Sequence, residues 1–139
     1  MRKIAILGVS AVVLLVVGCG GGATHSLNGQ VTLISSSMVV GQQDGAPACK
    51  GAGGYADIIG GASVVMENGS GKQLAQTTLG LGEPTSDDSI CVFPFAIAEL
   101  PESNDYVLRI SDRPPVPYTL DELRADNFTI RLRLDERES

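Results

Sequence analysis

The sequence predicts an all-β fold, a small antiparallel β-sandwich of about six or seven strands with one short helical turn. Short segments in which apolar and polar residues alternate recur along the chain, and no long stretch has the periodicity of a helix. Glycine is abundant, with 17 residues, which favours a domain rich in turns. The aromatic residues are three Phe and three Tyr, so the sandwich encloses a modest core.

Residues 1–18 predict an export signal. Arg2 and Lys3 form a positively charged start, and residues 4–17 are almost entirely apolar. A helix of that length spans about 20 Å, well short of the ~30 Å hydrocarbon core of a membrane. We therefore interpret this leader as a signal peptide and not as a transmembrane anchor.

The leader ends in Leu-Val-Val-Gly-Cys at residues 15–19, with an aliphatic residue at position −3, a small one at −1 and then cysteine. This segment resembles the lipobox read by lipoprotein signal peptidase. The resemblance implies cleavage after Gly18 and a diacylglyceryl thioether on Cys19, so membrane lipid is an expected partner; two acyl chains suffice for stable anchoring. It places the protein at the cell membrane, lipid-anchored on the exported side. The alternative is an ordinary signal peptide with a chance cysteine.

The mature chain left by this cleavage divides into a flexible tether at residues 19–26 and a sandwich domain at residues 27–139. Loss of Arg2 and Lys3 changes the formal net charge from −6 to about −8. So acidic a surface repels nucleic acid and anionic headgroups, and we expect neither as a partner.

Two cysteines remain besides Cys19, namely Cys49 and Cys91. Two cysteines in an oxidising compartment usually pair, so we expect a disulfide that closes a loop of about 42 residues. In the chain-entropy model such a loop contributes roughly 4 kcal/mol. The alternatives are a thiol metal site and a reactive cysteine; a metal site needs further ligands, and the single histidine, His25, lies in the tether.

The first half of the domain contains one long irregular segment among its strands. Residues 41–61 are rich in glycine and hold Cys49, Tyr55 and Asp57. The sequence Asn-Gly-Ser-Gly at residues 68–71 is a strong turn signal, because Asn and Gly tolerate positive φ. Strands are predicted at residues 27–34, with an extension at 38–40, and at residues 62–67 and 73–79.

Residues 90–100 form the most informative strand, because Cys91 and two phenylalanines share one face. Pro94 on the other face indicates an edge strand or a bulge. Residues 106–110 alternate in the same way, and the proline-rich segment at 114–117 is an extended connection.

The end of the chain predicts a helical turn and a last strand. Thr119 and Glu122 match a capping box, which opens the short helical turn. Residues 128–134 are apolar on one face and carry Arg131 and Arg133 on the other. We interpret these two arginines and Arg137 as a solvated face; a binding patch is the alternative.

Four short motifs stand out among these strands and turns. They are Gly-Ala-Ser-Val at 61–64, the glycine turn at 68–71, Cys-Val-Phe-Pro-Phe at 91–95 and Tyr-Val-Leu at 106–108. Together they resemble the transthyretin-like or carboxypeptidase-regulatory-like sandwich. The run Cys-Lys-Gly-Ala-Gly-Gly-Tyr-Ala-Asp-Ile at 49–58 also resembles a domain common in secreted and lipid-anchored actinobacterial proteins. The resemblance spans about residues 49–123 and implies an accessory or binding module.

We expect no enzymatic activity, no metal and no cofactor. A Ser-His-Asp or Cys-His device needs an imidazole in the domain, and His25 is assigned to the tether. The segment 51–56 formally matches a dinucleotide fingerprint but lacks the strand before it and the helix after it. Asp87 and Asp88 are neighbours in a loop, where acid–base chemistry or calcium binding is the alternative to a solvated turn.

The expected function is that of a non-catalytic binding or structural module at the cell envelope, with an envelope protein or a glycan as its partner. The alternatives are a carbohydrate- or calcium-binding accessory domain and an enzyme that works without histidine. The candidate binding loop is residues 41–61, because irregular segments longer than about 12–15 residues are often functional.

Within that loop, Tyr55 offers a planar amphipathic surface and Asp57 a charged acceptor, as sugar or peptide contacts require. The alternative is structural. In that case Tyr55 fills the end of the sandwich, and Asp57 caps the loop backbone or pairs with an arginine such as Arg113.

The lipobox interpretation makes a direct prediction. Replacement Cys19→Ala removes the only thiol that can carry the lipid at this position, so the variant leaves the membrane fraction or accumulates as precursor. Metabolic labelling with a clickable fatty acid measures the acylation. Equal labelling of the wild-type and variant proteins would contradict the assignment of Cys19.

Overall fold

The computed structural model describes residues 22–134, which form a β-sandwich of two four-stranded sheets with an additional two-stranded hairpin. The leader, Cys19 and the last five residues lie outside the described part. The described strands are β1 (Thr24–Ile34), β2 (Met38–Gln43), β3 (Ala46–Gly51), β4 (Ser63–Asn68), β5 (Gln73–Thr78), β6 (Glu83–Pro84), β7 (Ile90–Pro101), β8 (Asp105–Ile110), β9 (Val116–Thr119) and β10 (Thr129–Leu134). Helix α1 (Leu120–Ala125) and the 3₁₀ turns Ser35–Ser37 and Gly53–Tyr55 are the other described elements.

The two sheets enclose a single apolar core, and the predicted all-β sandwich is confirmed. The first sheet has the strand order β10-β1-β7-β6, and the second has the order β5-β4-β8-β9. Because side chains of a strand alternate between its two faces, every second residue of the central strands enters the core. The fully buried side chains include Leu27, Val31, Leu33, Phe93, Val64, Met66, Tyr106 and Leu108.

The longest strand pair, β1 with β7, forms the middle of the first sheet. The two strands are antiparallel, from Thr24 opposite Pro101 to Ile34 opposite Ile90. Gly29 lies opposite Phe95, and a Cβ atom on this glycine would overlap the phenylalanine ring. The ring therefore covers the glycine and helps to set the register.

Pro94 lies in an inner strand of the first sheet and at no bulge, so the predicted edge strand or bulge was wrong; the proline is accommodated because β6 does not extend along β7 as far as this residue. Its carbonyl accepts a hydrogen bond from Gly80 N on the outer side of the strand. The N–H and C=O groups of one strand residue point the same way, so the N–H that proline lacks also lies on this outer side. The short β6 pairs with Val92 and Cys91 only, and the register with β1 is continuous through Pro94.

The last strand adds one parallel pair to the otherwise antiparallel sandwich. β10 runs parallel to β1, from Thr129 opposite Asn28 to Leu134 opposite Leu33. Helix α1 crosses from β9 in one sheet to β10 in the other and lets the chain return in the direction of β1. The predicted capping box starts this helix, with Thr119 Oγ1 accepting from Glu122 N at 3.1 Å and Glu122 Oε2 accepting from Thr119 N at 2.8 Å.

The first half of segment 41–61 is ordered into strand, and the prediction of an irregular segment there was wrong. Strands β2 and β3 form a hairpin in which Gln43 lies opposite Ala46. Asp44 and Gly45 between them have φ angles of 52° and 80°, as a two-residue hairpin turn requires. These strands, with the short β6 and β9, bring residues 22–134 to ten strands, where the sequence predicted about six or seven.

The predicted disulfide between Cys49 and Cys91 is confirmed, and it attaches the hairpin to β7. The backbone contributes as well, because Cys49 N donates to Gly82 O at 3.0 Å beside β6. Both cysteines are buried. Since the bond uses both thiols, it removes the alternatives of a thiol metal site and a reactive cysteine.

The start of β1 lies in what the sequence assigned to the tether. The strand begins at Thr24, three residues before the predicted boundary at Leu27. His25 Nε2 lies 2.7 Å from Glu102 Oε2, and the imidazole stacks on Phe128 with ring centroids 4.1 Å apart. The histidine is therefore a packed residue of the domain and not part of a flexible tether.

Strand β1 spans the sandwich from end to end. Thr24 pairs with Pro101, which precedes the turn into β8, and Leu33 pairs with Leu134 at the opposite end. At ~3.3 Å per residue the nine steps from Thr24 to Leu33 correspond to about 30 Å. We call the end that contains Ile34 and Leu134 the far end, because it is remote from Thr24, the first residue of β1.

The attachment of the hairpin predicts a measurable loss of stability. We expect the double replacement Cys49→Ser and Cys91→Ser to lower the free energy of unfolding by about 2–5 kcal/mol, because it releases the loop between β3 and β7. Urea denaturation followed by circular dichroism measures the change, and the wild type under reducing conditions should match the variant. An unchanged denaturation midpoint would show that the backbone bridge at Gly82 alone holds the hairpin.

Candidate binding cleft

Arg113 joins the two residues that the sequence singled out in the loop. Its Nη2 and Nε lie 2.6 and 3.2 Å from the two carboxylate oxygens of Asp57. Nη2 also donates to the carbonyl of Gly54. The guanidinium carbon lies 4.4 Å from the centroid of the Tyr55 ring, a cation–π distance. Arg113 thus brings Tyr55 and Asp57 together, and it is the arginine that the sequence suggested as a structural partner of Asp57.

Two tight turns place these side chains. Tyr55 ends the 3₁₀ turn Gly53–Tyr55, just after β3. Gly51 lies so close to the Tyr55 carbonyl that any Cβ atom there would overlap it, so only glycine allows the chain to turn here. On the other side, Ser111 adopts a φ of 51° directly after β8, which redirects the chain and carries Arg113 back over the loop.

A cleft with a volume of about 290 Å³ opens beside this cluster at the far end of the sandwich. Small-molecule pockets usually have volumes of roughly 300–1,000 Å³, so the cleft is at the lower end of that range. It is lined by residues of both edge strands, β9 from one sheet and β10 from the other. Apart from Tyr55 and Arg113, its walls are Ile110, Pro114, Pro115, Val116, Pro117, Leu132 and Leu134.

The chemistry of the cleft is that of an apolar groove with a polar rim. The side chains lining it that carry polar groups are Tyr55 and Arg113. Contacts within residues 22–134 engage Nε and Nη2 of the arginine, and the two N–H groups of Nη1 remain to donate to a ligand. Because Asp57 balances the guanidinium charge, the cleft favours a ligand with apolar groups and hydrogen-bond acceptors over a free anion.

The acidic loop between β6 and β7 lies outside this cleft and is organised by its own hydrogen bonds. Asp87 Oδ1 accepts from Thr85 Oγ1 and Ser89 Oγ, each at 2.7 Å, and from Ser89 N at 3.2 Å. The hydrogen bond from the Thr85 side chain, followed by those from Ser89, lowers the pKa of Asp87 to about 2. Asp88 adopts a φ of 56° in the same turn. The Asp87 carboxylate thus stays ionised and holds the turn together.

Among residues 22–134, no group of three or more His, Cys, Asp or Glu side chains is placed to hold a metal ion. In that same range, no helix is long and apolar enough to cross a membrane.

Sequence reasoning missed most of the cleft. It identified Tyr55 and Asp57 and named Arg113 as a possible partner, but it assigned the prolines to a connection and Leu132 to the core face of a strand. The one sequence signal was the Pro-Pro-Val-Pro run at 114–117, since a run of prolines beside an edge strand forms a rigid apolar wall.

Comparisons with known proteins identify no relative of this chain. No known family model matches the chain, and searches of curated proteins and of solved structures found no match.

The Asp57–Arg113 pair predicts a specific loss of stability. We expect Asp57→Asn to lower the free energy of unfolding by about 1 kcal/mol, because the pair is bidentate, partly buried and joins two separate turns. The matched control is Glu67→Gln, which removes a single-contact ion pair with Arg109 on the outer face of the second sheet. Urea denaturation of both variants provides the comparison, and an equal loss in the control would contradict a special role for Asp57.

Proposed function

We propose that this protein is a lipid-anchored, exported and non-catalytic binding module, and that the cleft beside Tyr55 and Arg113 is its ligand site. The observation that carries the proposal is the place of the cleft, at the far end of the sandwich on the side where two edge strands meet. The ligand is an envelope protein or a glycan. We also propose that the sandwich is of the transthyretin-like kind, and this supports a binding role because such sandwiches serve as accessory modules.

The anchor and the cleft are suitably placed for this role. Thr24, the first residue of β1, follows Cys19 by five residues, so an acylated cysteine holds the domain within about 18 Å of the membrane surface. The cleft lies a further ~30 Å along β1, at the opposite end. An anchored domain of this shape presents the cleft to the envelope and not to its own membrane.

The lining of the cleft supports binding as its use. Tyrosine and arginine are enriched among the residues that dominate interfaces, and both are present at one rim. The prolines of the opposite wall have little conformational freedom to lose when a ligand binds. The ion pair with Asp57 holds Arg113 in place before a ligand arrives, which reduces the ordering cost of association.

Site-specific cross-linking tests this proposal in intact cells. A photo-cross-linking residue is introduced in place of Pro115, an exposed residue of the cleft next to β9. In a second strain it replaces Gln76, an exposed residue of β5, which is the edge strand opposite β9 in the second sheet. We expect a discrete cross-linked product from position 115 and none from position 76.

The variant Tyr55→Ala completes this experiment. If the cleft binds through its aromatic rim, the replacement reduces the product from position 115 by at least about fivefold while the domain remains folded. Products of equal yield from both positions, or a yield that follows only the thermal stability of the variants, would mean that Tyr55 is structural and that the ligand binds elsewhere.

A further inference from the structure

Among residues 22–134, no strand pairs with the outer backbone edge of β10. Within this part of the chain, β10 is the outermost strand of the first sheet, and its one strand partner is β1, along Thr129 to Leu134. An edge of this kind presents a row of N–H and C=O groups that another strand can pair with. The open edge of β10 borders the cleft, since Leu132 and Leu134 are two of its lining residues.

The two faces of β10 have opposite chemistry. Ile130 and Leu134 are buried, and Leu132 is half-buried against the core. Arg131 and Arg133 are exposed on the outer face, and neither has an ion-pair partner among residues 22–134. On a chain with a net charge of −6, this strand is a local basic stripe beside an apolar groove.

We propose that the open edge of β10 accepts an extended peptide strand in which apolar and acidic residues alternate. This inference rests on the proposed function and specifies the class of ligand for the same cleft. A strand added to β10 lies about 4.8 Å beyond it, and its residues alternate between the two faces of the sheet. Its apolar side chains enter the cleft beside Leu132, and its acidic side chains meet Arg131 and Arg133 on the outer face.

The neighbouring edge strand is a poorer acceptor. β9, on the other side of the cleft, contains Pro117 and follows Pro114 and Pro115. Proline has no N–H to donate, so a proline-rich edge pairs poorly with an added strand. The geometry therefore selects β10 as the accepting edge and leaves the prolines of β9 as the apolar wall against which the added side chains pack.

The charge of β10 also argues against a second copy of this chain as the occupant. If two copies paired antiparallel through β10 with the pairing centred on Leu132, Arg131 of each copy would lie opposite Arg133 of the other. Like charges opposite each other destabilise a strand pair. An acidic strand from a different protein satisfies the same positions with opposite charge, so we assign the site to a partner chain.

Binding of a synthetic peptide tests this assignment. The probe is a fluorescein-labelled octapeptide of alternating valine and glutamate, titrated with the purified full-length chain in detergent and followed by anisotropy. We expect the double variant Arg131→Glu with Arg133→Glu to bind it at least about tenfold more weakly. The control Lys50→Glu with Lys72→Glu changes the net charge equally at exposed sites elsewhere and should leave the affinity within about twofold.

Two further peptides separate strand addition from plain charge attraction. One has the same sequence with N-methyl groups on alternate residues, and the other has the same composition with the valines and glutamates in two blocks. Both should bind at least about tenfold more weakly than the probe, because strand addition needs the backbone N–H groups and the alternation. Equal binding of all three peptides, or an equal loss in the lysine control, would overturn the inference.

The two experiments distinguish failure of strand addition from failure of the proposed function. If the probe does not bind while position 115 still gives a Tyr55-dependent cross-link, strand addition at β10 is wrong and the cleft binds a ligand of another class. If position 115 gives no such product and the probe does not bind, both proposals are overturned.

Discussion

The antiparallel pairing of β1 with β7 is the interaction on which the rest of this structure depends. It runs the full length of the sandwich and buries Leu27, Val31 and Leu33 beside Phe93. Every other part of the first sheet is attached to this pair, with β10 along β1 on one side and β6 along β7 on the other. Because Cys91 belongs to β7, the pair also holds the hairpin through the disulfide.

The candidate site lies on the side of the sandwich where the two sheets leave a gap between their edge strands. Both sheets end in a short edge strand on the same side, and the space between β9 and β10 becomes the cleft. Arg113 ties the loop after β3 to the chain after β8, so the rim of the cleft is held from two directions. A rigid rim, an apolar floor and a strand edge with no strand partner among residues 22–134 are together suited to recognition of an extended ligand.

Several elements were predictable because their signals are local. The capping box at Thr119 and Glu122 depends on contacts within one helical turn. In the turn at residues 68–71, Asn68 Oδ1 accepts hydrogen bonds from the backbone N–H groups of Ser70 and Lys72. The hairpin of β2 and β3 also had a local signal in Asp44-Gly45, but its strands lack the expected alternation, since Val39 and Val40 are adjacent and 46% and 42% exposed. Periodicity alone therefore predicted an irregular segment here.

The sequence by itself determined the strand faces, the helix start and the pairing of Cys49 with Cys91. It also identified Tyr55, which lies at the rim of the cleft, and Asp57, which pairs with Arg113. These features follow from period-two patterning, from capping chemistry and from the count of cysteines. Only the tertiary structure decided that β10 runs parallel to β1, that His25 packs against Phe128 and that Leu132 borders an open cleft. Strand pairing is a contact between residues remote in sequence, and a half-buried edge strand carries the same alternating pattern whichever neighbour it meets.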